Sequence, residues 1–380
     1  MDLKKKRFAF IDLYRGWALL FMVETHVFNA MLLPALKTAG WFKALTFING
    51  LVAPSFLFIS GFAFTIASQR KLEAFRQYRF DFWRQLGRIF LIWVVGYSLR
   101  LPYLSLQKML HKATPDELLP FFSVDVLQCI AFGLLLMFVL RLFIKSDLVF
   151  NVILIVLTCI LFILAPMIWQ TDFAQYMPLP LANYFNEMHG SLFPLFPWLG
   201  FMLSGSVMCY YYMQSRNGNY ENRFLKHLLW FGIGCIIVGE FVLAAPFSFM
   251  DYISKVVPNQ FFFILRLGLV TVFLVSLRYY EIWRSTEKSF VLEVGRESLL
   301  VYWLHLQVIY RKLWNNDTTL YSIVNERFNF IECILASLAL ALLMVIAAMI
   351  WSYIKKRYKL LSQIATAGTI AVVIIVFLLR

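Results

Sequence analysis

Residues 8–26 read FAFIDLYRGWALLFMVETH, an apolar run that carries four ionisable side chains, Asp12, Arg15, Glu24 and His26. A helix needs about 20 apolar residues to cross a bilayer, and a charge at that depth is costly and usually functional. Arg15 and His26 are eleven residues apart. That is close to three helical turns, so one face carries both, roughly 16 Å apart along the axis. Asp12 falls near the same face, and Glu24 points elsewhere. The expected first helix therefore bears one polar stripe with two separated stations.

The rest of the chain repeats the apolar character of this stretch. Its 380 residues are 61% hydrophobic and 15% charged, and the mean hydropathy is +0.72. That leaves too little polar surface to cover a soluble core of this size. Long continuous apolar runs, rather than alternating ones, predict an all-α polytopic membrane protein and argue against a β-barrel. About 11 transmembrane helices are expected, at 9–32, 44–68, 86–104, 120–143, 149–169, 191–213, 226–247, 260–279, 291–312, 330–354 and 363–379. No linker, repeat or soluble segment divides them, so residues 1–380 are read as a single transmembrane domain. The basic cluster at 4–7 precedes a segment too long and too polar for a signal peptide, so no cleavable leader is expected.

Lys and Arg set the orientation. With the N-terminus inside, twenty-three of them fall in inner segments, ten in outer ones and two, Arg15 and Arg266, within spans. This asymmetry predicts N-in and C-out, and it accounts for most of the net charge of +14 without nucleic acid. The five cysteines all fall in apolar runs and have neither metal-ligand nor disulfide spacing. The histidines are single and scattered, so no metal is expected. Walker A, dinucleotide Gly-rich, nucleophile-elbow and HExxH signatures are missing from the sequence.

Several segments could carry chemistry. Asp125 and Gln128 open the fourth expected span at the depth of His26, where a carboxylate would orient the imidazole and raise its basicity. An alternative is that Asp125 simply starts its helix. Residues 54–61, PSFLFISG, combine a Pro expected to bend span two with Ser60–Gly61, a small pair that permits close helix approach. In the outer loop 170–190, His189 is either a solvated histidine or part of a cavity mouth. Beyond it, Pro194, Pro197 and Trp198 interrupt the start of span six. Residues 295–305, GRESLLVYWLH, place Arg296 at the inner end of span nine, with Ser298, Tyr302 and His305 on one face. Glu240 and Arg266, at matched depth, are expected to pair across spans seven and eight. The basic, aromatic segment 69–88 is an interfacial amphipathic helix or a landing site for a phosphorylated ligand.

These stretches resemble a known family. IDLYRGWALLFMVETH and APSFLFISGFAF look like the opening of the heparan-α-glucosaminide N-acetyltransferase and YeiB-like transmembrane acyltransferases. DVLQCIAFGLLL, LFPLFPWLGFMLSG and GRESLLVYWLH look like their later signatures, in order, over residues 8–312. The first helix also resembles that of bacterial membrane O-acyltransferases. The resemblance implies an acyltransferase that takes an acetyl or other short acyl group from cytosolic acetyl-CoA to a hydroxyl or amine, commonly on a glycan, at the outer face of a bacterial inner membrane. His26, Asp125, His305 and Tyr302 are then the catalytic candidates. Arg15, Asp12, Gln128, Arg296 and Ser60 are candidates for the donor, and His189 and Trp198 for the acceptor. In the lysosomal enzyme the proposed active-site histidine follows the first family helix. Here the corresponding loop, LKTAGWFKALTF, has none, so the role falls to His26. A transporter or flippase, the competing class, would share the intramembrane charges but normally shows an inverted repeat. A non-catalytic sensor or assembly subunit is a third class. Oligomeric state is left open, a dimer included.

Overall fold

A computed structural model describes residues 8–244, 260–284, 289–311 and 318–379. Among these residues the regular structure is helical, apart from one isolated parallel bridge between Leu32 and Phe328. The longer helices, in chain order, are α1 (Ala9–Met31), α2 (Gly40–Asn49), α3 (Val52–Arg76), α4 (Phe80–Ser98), α5 (Val126–Phe143), α6 (Asp147–Trp169) and α7 (Leu195–Asn217). They continue with α8 (Glu221–Ala244), α9 (Gln260–Trp283), α10 (Phe290–Arg296), α11 (Ser298–Tyr310), α12 (Phe330–Arg357) and α13 (Lys359–Leu379). Seven helical stretches among the described residues are long and apolar enough to cross a membrane by length and composition. The basic residues 4–7, Lys255, Lys288, Lys312 and Arg380, used in the charge count, lie outside the described residues, as do the ends of the spans expected at 226–247 and 291–312.

The chain divides into two compact units. The first comprises residues 53–98 and 119–283, essentially α3 to α9. The second comprises residues 8–52, 99–118 and 284–380, so it joins α1 and α2 to α10–α13.

The first unit is held by close helix crossings. A Cβ built on Gly61 would lie 1.8 Å from the Met202 carbonyl oxygen, and one on Gly205 would lie 2.0 Å from that of Phe58. α3 and α7 thus meet backbone to backbone, which small residues allow where lipid provides no hydrophobic drive between helices. Pro54, expected to bend its helix, falls in the first turn of α3, where the missing N–H has no intrahelical partner to lose. The break comes instead in α7. Phe196 has non-helical φ/ψ (−96°, 117°) before Pro197. The Phe196 carbonyl accepts from Trp169 Nε1 at 2.7 Å, so that acceptor is met by a side chain of α6.

The expected Glu240–Arg266 pair is replaced by another arrangement. Glu240 is exposed on α8, while the Arg266 guanidinium lies over the Phe262 ring, 3.5 Å from its centroid, a cation–π contact one helical turn away. The basic segment 69–88 is mostly helix, split between the end of α3 and the start of α4. Two of its cations are engaged locally. Lys71 pairs with Asp81, and Arg76 donates to the carbonyls of Arg141 (3.2 Å) and Ile144 (2.6 Å), capping α5.

The second unit is organised around α1, which packs on α10, α11 and α12. Gly16 and Gly295 make that packing possible. A Cβ on Gly16 would lie 2.1 Å from the Val291 carbonyl oxygen, and one on Gly295 would lie 1.8 Å from that of Asp12. α12 starts at a capping box. The Asn329 side chain accepts from Glu332 N (3.0 Å), and the Glu332 carboxylate accepts from Asn329 N (2.7 Å). The apolar side chains of α13 are nearly all exposed, as on a helix that faces hydrocarbon.

Candidate active site

Three of the catalytic candidates, His26, His305 and Tyr302, meet in the second unit, together with Tyr310, which the sequence did not single out. His26 is half-buried on α1, three turns from Arg15 on an unbroken helix. Its Nδ1 lies 3.3 Å from the Tyr310 hydroxyl, and its ring centroid is 5.3 Å from that of His305. Tyr302 stands edge-on to His305 at 5.8 Å. α11 therefore presents Tyr302, His305 and Tyr310 to this region, and α1 presents His26.

The His305 side chain is fully buried, and its Nδ1 is 2.8 Å from the Val301 carbonyl. A carbonyl only accepts, so Nδ1 carries the proton and Nε2 holds the lone pair. That Nε2 is buried without a hydrogen-bond partner among the described residues. Leaving such an atom unmet costs about 1–3 kcal/mol, and native structures seldom do so without a reason. In this tautomer His305 cannot donate to an oxyanion through Nε2; it can accept a hydrogen bond from a bound N–H or O–H. Donation falls to the tyrosine hydroxyls.

The donor-side candidates Asp12 and Arg296 are tied into an ionic network. Arg296 Nη1 donates to Glu293 at 2.7 Å, and its Nε is 3.8 Å from Asp12, which is 2% exposed. Glu293 also takes Lys356 at 2.9 Å and the Ser352 hydroxyl, and Glu297 takes Lys355 at 2.7 Å. Among the described residues of this cluster three cations face three carboxylates, and the pairs clamp α1, α10 and α12 together.

The other candidates lie in the first unit. Asp125 is the N-cap of α5, accepting from Val126 N at 2.7 Å. Gln128, fully buried, completes the capping box by accepting from Asp125 N at 3.3 Å. This is the helix-start role weighed as the alternative. Ser60 is half-buried on α3 beside the Gly61 crossing. Trp198 is buried, with Phe193 and Phe262 edge-on to it at 5.0 and 5.9 Å. His189 Nε2 is 2.8 Å from Asp172 in the segment between α6 and α7. That bond, with the Ala174 N–H, holds the Asp172 carboxyl below its ordinary range, whereas burial pushes Glu187 up.

Tyr310 escaped the sequence reading because it lies five residues beyond His305, off the helical spacing that linked Ser298, Tyr302 and His305. Only the crossing of α1 with α11 brings it to His26. No metal-binding group of His, Cys, Asp or Glu occurs among the described residues.

The family model described as heparan-alpha-glucosaminide N-acetyltransferase, catalytic, matches residues 7–241, well over half of the chain. The match takes in His26 and the whole of α1, and ends before α11. No curated protein matches the chain.

Proposed function

The chain belongs to the heparan-alpha-glucosaminide N-acetyltransferase catalytic family, and from that membership we propose that it moves an acetyl group from cytosolic acetyl-CoA to an amine or hydroxyl at the far side of the membrane. In this reading the whole chain is one membrane domain of about eleven spans, N-in and C-out, in a bacterial inner membrane, and the acceptor is a glycan or amino sugar. The observation that carries the proposal is the His26–Tyr310–His305 cluster on the first helix of the matched region and its partner α11.

The chemistry follows from that cluster. If His26 Nδ1–H donates to the Tyr310 oxygen, Nε2 is the lone pair that takes the acceptor proton. The acceptor nitrogen or oxygen bonds to the acetyl carbonyl carbon, and the tetrahedral oxyanion collapses. The C–S bond breaks, and the CoA sulfur leaves with the proton returned by His26. Tyr302 is the hydroxyl assigned to the oxyanion, and His305 Nε2 accepts a hydrogen bond from the acceptor group. General-base help of this kind is worth about 10²–10⁴-fold. Arg15, on the inner part of the same helix face, is the cation assigned to the CoA phosphates.

The test uses the purified full chain with radiolabelled acetyl-CoA and a panel of amino sugars and glycans. Wild type is expected to transfer label, and His26→Ala to lose about 10²–10⁴-fold of that rate while still binding acetyl-CoA. Undiminished transfer by His26→Ala removes the base assignment. Failure of the wild type to bind acetyl-CoA removes the enzyme reading.

A further inference from the structure

Glu24 sits two residues before His26, on the other side of α1, and takes no part in the chemistry above. It opens into a cavity of about 630 Å³ within the second unit, between α1, α12 and the start of α10. Along α1 the lining runs from Trp17 to Phe28, and along α12 from Ile334 to Val345. Eleven residues of helix make each wall roughly 16 Å long. The volume is that of a small-molecule site, which is typically apolar with a few placed polar groups.

The polar groups are concentrated toward one end. Both Glu24 carboxylate oxygens are buried and make no hydrogen bond of good geometry among the described residues, with the Asn49 side chain as a polar neighbour. Ser337, 7% exposed, contributes a hydroxyl that is likewise unmet. Both residues line the cavity nearer its Phe28–Ile334 end, while at the other end Leu342, Val345 and Phe290 are apolar and Trp17 adds its ring. Three unmet oxygens in a setting this apolar are costly unless a ligand supplies donors, and a carboxylate there calls for a cation. Glu24 is seven residues from the last residue of α1, about 10 Å along the axis, within reach of a headgroup drawn in from the interface.

We propose that this cavity is a binding site for a membrane lipid with a primary-amine headgroup, the ammonium seated on Glu24 and Ser337 and one hydrocarbon chain lying along the apolar wall toward Phe290. The amine supplies three N–H donors and the compensating charge, and the chain fills the apolar end. The site is separate from the acetyl-transfer cluster and does not depend on that function.

The experiment is native mass spectrometry of the full chain released from vesicles that contain equal parts of phosphatidylethanolamine, phosphatidylglycerol and phosphatidylcholine. Wild type is expected to retain phosphatidylethanolamine at least about fivefold over phosphatidylcholine, which has no N–H donor. Phosphatidylglycerol separates the two possible sources of recognition. If it is retained as well as phosphatidylethanolamine, hydroxyl donation suffices and the amine claim is overturned. Glu24→Ala is expected to level the three lipids. Leu338→Trp, which fills the cavity and keeps Glu24, is expected to lower retention of all three and serves where Glu24→Ala does not fold. Equal retention of the three lipids by wild type, or undiminished preference in both variants, overturns the proposal. The outcome is distinguishable from that of the acetyl-transfer assay, because His26→Ala is expected to leave lipid retention unchanged.

Discussion

At the scale of single residues, unmet atoms of the second unit lie at both places where function is proposed. His305 Nε2 and the two Glu24 oxygens are buried without partners among the described residues, while the carboxylates Asp12, Glu293 and Glu297 are engaged with cations. Tyr310 is the residue that tests the acetyl-transfer arrangement most directly. Tyr310→Phe removes the hydroxyl beside His26 and leaves the ring in place. Its kcat is expected to fall about 10-fold, one hydrogen bond's worth, with KM for acetyl-CoA unchanged. An unaltered rate would show that His26 orients its ring by other contacts. The Asp172–His189 pair gives a pH prediction. A carboxyl held below its unfolded value stabilises the fold at pH above that value, about 3.9 for Asp. The stabilisation is lost as pH falls through the folded value. Protection of the Ala174 amide, its exchange rate relative to the intrinsic rate at each pH, is therefore expected to fall on acidification in wild type and to be less pH-dependent in Asp172→Asn. Identical profiles would exclude the linkage.

At the scale of helices, the motif glycines have a packing explanation. Gly16 and Gly295 belong to two different sequence signatures, as do Gly61 and Gly205, yet each pair marks a single crossing. The signatures are thus partly records of which backbones touch. Gly61→Ala and Gly295→Ala each force a methyl group against a carbonyl oxygen and are expected to cost about 1–3 kcal/mol or more. Gly234→Ala, where nothing lies within 4 Å of the added Cβ, is expected to be neutral or stabilising by up to about 1 kcal/mol from helix propensity. Thermal unfolding in detergent ranks the three, and a Gly234→Ala loss as large as the others would deny that the close approaches are the cause. The Ser60–Gly61 packing role was legible from residue size alone. Pro54 and Pro197 were not separable in sequence: each is the third residue of its helix, and only Pro197 follows a residue with non-helical φ/ψ, Phe196.

At the scale of the whole molecule, the expected sidedness makes its own prediction. With the native cysteines replaced, Thr171→Cys is expected to react with a membrane-impermeant maleimide added to intact cells, and Ser146→Cys only after permeabilisation. The reverse pattern overturns the N-in, C-out reading. The fold places α1 with α10–α12, although nearly the whole first unit separates them in sequence. The proposed cluster therefore needs the chain beyond residue 241, where the family match stops. The sequence by itself determined the helical class and the abundance of apolar spans. Those depend on composition, period and the cost of charge in hydrocarbon, all local properties of the chain. Tertiary structure alone decided that Arg296 meets Asp12, that Tyr310 stands beside His26, and that Glu24 faces a cavity of its own. Each of these turns on which distant helix lies opposite, and helical spacing fixes only the face a residue occupies, not what that face meets.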